Sequence, residues 1–379
     1  MAGIYVHIPF CKQACHYCDF HFSTSLKNRD ELFACLIKEL ILRKDELANE
    51  TIETIYFGGG TPSLLLDREI QLLISVIRGY YKVVDQPEIT LEANPDDLSE
   101  GRINLLSLTD VNRLSIGIQS FFEEDLKMMN RAHNAEEAKN CLSFATEHFE
   151  NITIDLIYGI PNMSNERWKE NLQIAFDFGI NHISSYALTV EPKTALDNFI
   201  RKGKYPKPEE KVAREHFEIL VNETKKNGFV HYEISNFGKP NYFSKHNTSY
   251  WLGKKYIGIG PSAHSFNKTH RSWNVSNNNK YIKEIKTEKL PNEIEELSIE
   301  DRFNEYLMTG FRTIWGVSLS KIKEDFGETN YSKLIQNAQK FISEGLLSIE
   351  TDADNYKVLK TTKKGKFLAD GLASDLFII

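Results

Sequence analysis

Three features are scarce in this sequence: long apolar runs, cysteine and an excess of positive charge. No run of apolar residues approaches the ~20 that a membrane-spanning helix needs, so we expect no segment to cross a bilayer. The opening residues, MAGIYVHIPFC, lack the cationic segment and the long apolar stretch of a secretory signal. The sequence therefore favours a cytoplasmic protein and leaves peripheral contact with a membrane surface open.

The charge balance bears on the class of ligand. Lys and Arg total 46 against 53 Asp and Glu, which gives a net charge of −7. Because phosphate backbones select basic surfaces, nucleic acid is not expected as the main ligand. A length of 379 residues and a hydrophobic content of 41% predict a globular chain of roughly two to three domains.

The cysteines are few and unevenly placed. Three of the five, Cys11, Cys15 and Cys18, lie within eight residues, unlike the dispersed, even-numbered pattern of a disulfide framework. Such clustering indicates metal ligands. Cys35 and Cys141 lie in helical patterns among apolar residues, where a free cysteine is commonly a small core residue, so no function is assigned to them.

Strand-like runs alternate with segments of helical period from Gly3 to about Leu188. Six strand–helix units in a row require a parallel sheet with helices outside it, and the count fits an α/β fold built as a partial (β/α)6 barrel. In such folds ligands lie at the carboxyl ends of strands. Four predicted strand ends carry notable residues: the three cysteines, Gly58 to Gly60, Glu92 and Gln119. Their common placement predicts one site.

We expect the barrel itself to end near Leu188, where the alternation stops. Residues 191–297 are interpreted as an extension that includes a further strand, Tyr256 to Phe266, and an acidic linker, Pro291 to Leu297. The change of composition at this linker predicts a domain boundary before Ser298.

The predicted organisation therefore has three parts: residues 1–190, 191–297 and 298–379. Short helices in the last part are followed by two strand-like runs with a turn at Asp352 to Asn355. This order is typical of a small α+β domain of winged-helix type.

The cysteine spacing predicts a particular kind of metal centre. In C-K-Q-A-C-H-Y-C, three thiolates on one short loop can bind one face of a cubane 4Fe–4S cluster, which leaves one iron without a protein ligand. An open iron can chelate the amino and carboxylate groups of a small molecule. A structural zinc site is the alternative, with His16 or His21 as the fourth ligand.

The motifs around this loop resemble those of the radical SAM superfamily, whose members bind S-adenosylmethionine (SAM). The resemblance rests on CxxxCxxC after the first strand, with Tyr17 inside it, and on G-G-G-T-P at Gly58 to Pro62 after the second. It implies a 4Fe–4S cluster, SAM, and an electron donor for the cluster. It also implies reductive cleavage of SAM to a 5′-deoxyadenosyl radical.

Longer segments resemble the branch of oxygen-independent coproporphyrinogen III oxidases and haem chaperones, among them YVHIPFC, LEANP, RLSIGIQSF, NRAH and IDLIYGIP. By matching motif, this resemblance implies two sets of SAM contacts. The cluster-bound SAM is expected at Tyr5, Tyr17, Gly58, Gly59, Gly60, Thr61 and Glu92. The positions where the oxidase contacts a second SAM are Gln119, Arg131, Asp155 and Ala187. No catalytic residue is assigned.

Two features separate this sequence from the oxidase. The oxidase has a further cysteine two residues after the third cluster cysteine, where this chain has Phe20, and it has a long N-terminal extension, whereas only ten residues precede Cys11. Both features favour the haem chaperones. Oxidative decarboxylation of coproporphyrinogen III remains the alternative function, and an RNA-modifying protein that uses the C-terminal domain is a third.

The segment H-N-T-S-Y-W, from His246 to Trp251, resembles the HNxxYW signature of the chaperone branch. A neutral imidazole is a good axial ligand for haem iron and aromatic rings pack on a macrocycle, so His246, Tyr250 and Trp251 are predicted to contact haem. A hydrogen-bonded structural histidine is the other interpretation of His246, and His264 is a competing ligand. The sequence thus predicts a haem chaperone that passes haem to an acceptor protein.

Overall fold

The computed structural model describes residues 1–352 and 355–378. The predicted turn at Asp352 to Asn355 includes residues 353 and 354, and the predicted last segment ends at residue 379; these three positions lie outside the described residues. The described chain forms a large sheet of twelve strands, in the order β12-β11-β10-β9-β1-β2-β3-β4-β5-β6-β8-β7, and a small sheet in the order β13-β15-β14.

The strands are defined by the following bounds: β1 (Ala2–Ile8), β2 (Ile52–Gly59), β3 (Val83–Ala93), β4 (Arg113–Gln119), β5 (Ile152–Tyr158), β6 (His182–Ala187), β7 (Val230–Glu233), β8 (Asn236–Gly238), β9 (Lys255–Ile259), β10 (His264–Phe266), β11 (His270–Asn274), β12 (Asn292–Glu296), β13 (Val317–Ser318), β14 (Leu347–Thr351) and β15 (Lys357–Thr361). The α-helices have these bounds: α1 (Arg29–Leu42), α2 (Asp67–Tyr80), α3 (Glu100–Leu106), α4 (Glu123–Met129), α5 (Ala135–His148), α6 (Asn165–Asp177), α7 (Ala195–Arg201), α8 (Glu210–Lys226), α9 (Lys245–Trp251), α10 (Asn278–Lys286), α11 (Ile299–Phe311), α12 (Leu319–Ser343) and α13 (Ala369–Ser374).

Strands β1 to β6 run parallel and in chain order, which confirms the partial (β/α)6 barrel. Parallel strands covered on both faces carry near-continuous apolar residues, and β4 is buried along its whole length. Helix α2 shows the matching pattern, because Ile70, Leu73, Ile74 and Ile77 place one buried stripe against the sheet. The carboxyl ends of strands β1, β2 and β3 bring the cysteine loop, the glycines and Glu92 to one edge of the sheet.

The six parallel strands end with β6 just before Leu188, but the sheet itself continues beyond it. Strand β8 adds to β6 in the antiparallel direction, and β9 adds to β1 in parallel. The predicted strand Tyr256 to Phe266 is in fact two strands, because Gly260 (φ 104°) and Ser262 (φ 64°) reverse the chain between β9 and β10. Short strands such as β8, of three residues, leave little periodicity to detect.

The acidic stretch Pro291 to Leu297, predicted as a linker, instead contains edge strand β12, which pairs with β11. Its glutamates Glu293, Glu295 and Glu296 are exposed. Charged residues on an edge strand oppose pairing with another molecule, which explains why a strand here has the composition of a linker.

A buried ionic network fixes the turn between β9 and β10 against α1. Glu39 accepts hydrogen bonds from the backbone N–H of Gly260 (2.8 Å) and from Nδ2 of Asn274 (2.7 Å). Arg43 pairs with Glu39 at 3.1 Å and donates to the carbonyl of Gly258 at 2.8 Å. Both charged side chains are buried, at 0% and 2% exposure, so the network satisfies charges that would otherwise destabilise the fold.

Residues 303–376 form a second apolar core, separate from that of the barrel. It lies between α11, α12, α13 and the small antiparallel sheet, so the predicted α+β C-terminal domain is confirmed. Gly327 (φ 84°) breaks α12 into two helical parts. The exact division into residues 1–190, 191–297 and 298–379 stays a prediction. Among the described helices, none combines the length and the apolarity that crossing a bilayer requires.

Candidate functional site

The cysteine loop leaves the carboxyl end of β1 and is held by backbone hydrogen bonds on both sides. Cys11 N–H donates to the carbonyl of Ser23 (3.1 Å), and His16 N–H donates to that of Met129 at the end of α4 (3.0 Å). Cys11, Cys15 and Cys18 are all partly exposed, and none forms a disulfide. The loop therefore presents three free thiols at the edge of the barrel.

The three thiols suit a cubane better than a single ion. Burial raises the pKa of the Cys18 thiol to about 11, and the negative charges that Cys15 and Cys11 would carry add to this rise. Within residues 1–352 and 355–378, no three His, Cys, Asp or Glu side chains converge as the ligands of one metal ion do. A cubane places each thiolate on a different iron and supplies the positive charge that favours thiolates.

The two histidines proposed as fourth zinc ligands are engaged elsewhere. His16 Nδ1 shares a hydrogen bond with the carbonyl of Met128 (2.8 Å), and the ring lies edge-on to Phe199 at 4.9 Å. His21 Nε2 shares one with Oδ1 of Asn278 on α10 (2.8 Å). In each of these imidazoles one ring nitrogen is therefore already used in a hydrogen bond.

The glycines at the end of β2 pack closely against neighbouring parts of the protein. A Cβ on Gly58 would lie 2.8 Å from the Tyr5 ring, and a Cβ on Gly60 would lie 2.6 Å from the carbonyl of Phe10. Gly59 has φ +108°, and a Cβ there would lie 2.5 Å from the ring of His7. No larger residue fits this strand end without displacing its neighbours.

Glu92 lies beside these glycines at the end of β3. Its Oε1 accepts a hydrogen bond from the Tyr56 hydroxyl (2.7 Å), and its Oε2 accepts one from Gly59 N–H (3.1 Å). Burial, assisted by the charge of Asp155, raises the pKa of Glu92 to about 7. Tyr56 was missed in the sequence, although its position two residues before Gly58 places its side chain on the same face of β2.

Arg131 connects the cysteine loop with the ends of β3 and β4. Its Nη2 donates to Oδ1 of Asn94 (2.6 Å) and to the carbonyl of Gly117 (2.9 Å), while Nη1 lies 3.2 Å from Sγ of Cys15. Asn94 in turn donates to Oγ1 of Thr61 (3.3 Å). The sequence did not single out Asn94, although it stands in the matching segment LEANP.

The remaining predicted SAM contacts lie along the same edge. Gln119 (φ 66°) ends β4 and Ala187 ends β6. Asp155 lies within β5, and burial raises the pKa of its carboxyl to about 6. Burial likewise raises the pKa of Tyr17. The structure therefore brings the predicted set to one region, and each assignment as a SAM contact stays a prediction.

His246 lies inside the barrel, below the glycine end of β2, with 1% of its surface exposed. Its Nδ1 shares a hydrogen bond with the Thr54 hydroxyl and its Nε2 shares one with the Tyr250 hydroxyl, both at 2.7 Å. The ring stacks on Tyr56 at 4.9 Å. Ligation of haem iron by His246 stays a prediction, and it would require one of these buried hydrogen bonds to break.

The other two residues of the HNxxYW segment face different neighbours. The Tyr250 ring packs edge-on against Tyr256 of β9 at 4.5 Å. Trp251 lies under the guanidinium of Arg312, which follows α11, at 5.2 Å. The segment therefore joins the interior of the barrel to the C-terminal domain. His264, the competing ligand, is exposed on β10.

The motifs and the fold agree with comparisons to known proteins. A model of the Radical SAM superfamily matches residues 5–190. Among curated relatives, Heme chaperone HemW of Bacillus subtilis is 34% identical over 87% of this chain and 88% of its own length, and that of Lactococcus lactis is 35% identical over 87% and 86%. Coproporphyrinogen III oxidase (HemN) from Escherichia coli superposes with a TM-score of 0.84 at 20% identity, covering 99% of this chain and 90% of that one. The oxidase thus shares the fold, whereas the level of identity and its extent show that this chain belongs to the HemW family of the radical SAM superfamily.

Proposed function

We propose that this protein is a haem chaperone, which binds haem and passes it to an acceptor protein with the aid of a 4Fe–4S cluster and SAM. The observation that carries the proposal is identity of 34–35% to proteins named Heme chaperone HemW over 87% of the chain. Phe20 supports it further: this side chain is 68% exposed at the position where the oxidase has its additional cysteine.

The residues at the barrel edge have separate tasks in this proposal. Cys11, Cys15 and Cys18 hold the cluster, which binds SAM and supplies an electron when an external donor reduces it. The backbone of Gly58 to Gly60 contacts the methionyl amino group, as the matching G-G-G-T-P motif implies. Glu92 accepts hydrogen bonds from the ribose hydroxyls, as acidic residues at strand ends do in dinucleotide folds.

Other features fit a haem carrier that works in the cytoplasm. An acceptor protein and an electron donor are the expected macromolecular partners, and nucleic acid is not one of them, given a net charge of −7. Gln119, Arg131, Asp155 and Ala187, at the positions where the oxidase contacts a second SAM, are proposed as further SAM contacts.

A haem titration tests the proposed function. We expect anaerobically reconstituted protein to develop a Soret band that saturates with added haem, and the same reduced, SAM-supplied preparation to form no protoporphyrinogen from coproporphyrinogen III. Porphyrinogen oxidation at a substantial rate would instead support the oxidase alternative. A titration in which absorbance rises without saturation would contradict specific haem binding.

The raised pKa of Glu92 predicts that SAM binding depends on pH. A carboxyl with a pKa of about 7 is mostly protonated at pH 6 and mostly ionised at pH 8, so SAM affinity should rise roughly tenfold between these values. Calorimetric titration of the reconstituted protein with SAM measures this dependence. Glu92→Gln, which cannot ionise, should bind weakly at both pH values; a wild-type affinity that does not change with pH would exclude the ionised carboxylate as the binding form.

A further inference from the structure

His264 differs from most histidines in this protein by having free ring nitrogens. Of the eleven histidines, nine use at least one ring nitrogen in a hydrogen bond with the chain. Within the part of the chain that the structure describes, the imidazoles of His148 and His264 make none. His148 ends α5 on the outer, exposed layer of helices, whereas His264 begins a strand of the central sheet.

The register of the strands places His264 on the face of the sheet that continues the barrel interior. Phe266 pairs with Tyr256, and His264 pairs with Trp273. Directly paired residues, and residues two apart in one strand, point to the same face of a sheet. Tyr256 is level with Gly3 of β1 and shares a face with it. Strands β9 to β11 therefore extend this inner face beyond the six parallel strands.

Aromatic rings surround the free imidazole on this face. The ring centres of Trp273 and His264 are 6.0 Å apart, and those of Phe266 and Tyr256 are 6.2 Å apart. The three aromatic residues are partly exposed, and His264 is exposed. Rings of this kind, beside an accessible nitrogen donor, form a surface on which a flat, apolar macrocycle with a central metal can pack.

We propose that His264 is the axial ligand of haem iron and that the indole of Trp273 packs against the macrocycle, an inference that rests on the proposed haem-chaperone function. His246 is the weaker candidate, because both of its nitrogens are used in buried hydrogen bonds. Burial, together with the charge of Arg271, lowers the pKa of His264, so its imidazole is neutral and able to ligate at neutral pH.

The proposed haem face is placed favourably both relative to the SAM site and for release of haem. Burial lowers the pKa of His7, whose ring lies over Gly59, to about 4, and the charge that His264 would carry adds to this lowering, so the proposed haem face lies on the same side of the sheet as the glycine end of β2. The face is open to solvent on one side. An acceptor protein can therefore approach haem directly, which a deeply enclosed pocket would prevent.

Haem titration of variants of the reconstituted protein tests this assignment. His264→Ala should weaken haem binding roughly tenfold or more and shift the Soret maximum, because an axial bond to iron is lost. His148→Ala is the matched control, since it removes an equally unpartnered imidazole, and it should bind as the wild type does. Trp273→Leu should weaken binding less than His264→Ala and leave the Soret maximum in place, because the iron ligand remains.

A cavity variant separates ligation from a structural role. Free imidazole added to His264→Gly should restore the wild-type Soret maximum, whereas it should leave the spectrum of His148→Gly unchanged. Wild-type affinity and spectrum in His264→Ala, with haem binding lost in His246→Ala, would overturn the assignment and leave the proposed function standing. Failure of the wild-type protein to bind haem would overturn both.

Discussion

Replacement of Cys15 by serine is expected to abolish the iron–sulfur cluster and, with it, SAM binding. A cubane held by three thiolates does not tolerate loss of one, because a second iron would then lack its protein ligand. Cys15 also lies 3.2 Å from the Arg131 guanidinium, so its loss removes a contact between the loop and the ends of β3 and β4. Iron and sulfide content, visible absorption and SAM titration after anaerobic reconstitution measure the effect.

Cys35→Ser is the control for this experiment. Cys35 is buried on α1, and its thiol points to the carbonyl of Ile282 at 3.8 Å, a contact that a hydroxyl can also make. This variant should retain the iron content and the SAM affinity of the wild type. Wild-type iron content in Cys15→Ser, or loss of the cluster in Cys35→Ser, would contradict the assignment of the three ligands.

The second large effect is expected at Glu39, the centre of the buried network beneath the β9–β10 turn. Arg43 keeps its second carboxylate partner, Glu46, in Glu39→Ala. The variant removes the acceptor of the buried Gly260 N–H, and each buried donor left without an acceptor costs about 1–3 kcal/mol. The hydroxyl of Tyr281, which donates to Glu39 at 2.5 Å, loses its acceptor as well. Urea denaturation under anaerobic conditions measures the free energy of unfolding.

Glu31→Ala, on the same helix, is the matched control for Glu39→Ala. Glu31 is exposed and pairs with Lys286 at the surface, where removal of an ion pair costs about 0–1 kcal/mol. If Glu39→Ala also lost less than about 1 kcal/mol, the network could not be what secures the β9–β10 turn. Because His264 follows that turn, the same variant should weaken haem binding as well.

Features that depend on neighbouring residues could be predicted from the sequence. The cysteine loop and the glycines of Gly58 to Gly60 carry their chemistry within a few residues of chain. The order of strand–helix units then fixed which ends meet, because parallel strands with right-handed connections place their carboxyl ends at one edge. Glu92 was found for the same reason, since it ends β3 beside the glycines.

Features that depend on distant pairing could not be predicted. His246 is 192 residues from its partner Thr54, and no local pattern records that contact. Strand β12 has the composition of a linker, because an edge strand exposes its side chains and needs no apolar alternation. The placement of His264 on the same face as Tyr256 and Trp273 likewise follows only from the register of β9, β10 and β11.

The electron paramagnetic resonance spectrum of the reduced protein, recorded with and without SAM, tests the central claim most directly. If three cysteines hold a 4Fe–4S cluster and leave one iron open, the amino and carboxylate groups of SAM bind that iron and the cluster signal shifts on addition. A cluster signal that SAM leaves unchanged, or anaerobic protein that holds zinc in place of a cubane, would contradict the account.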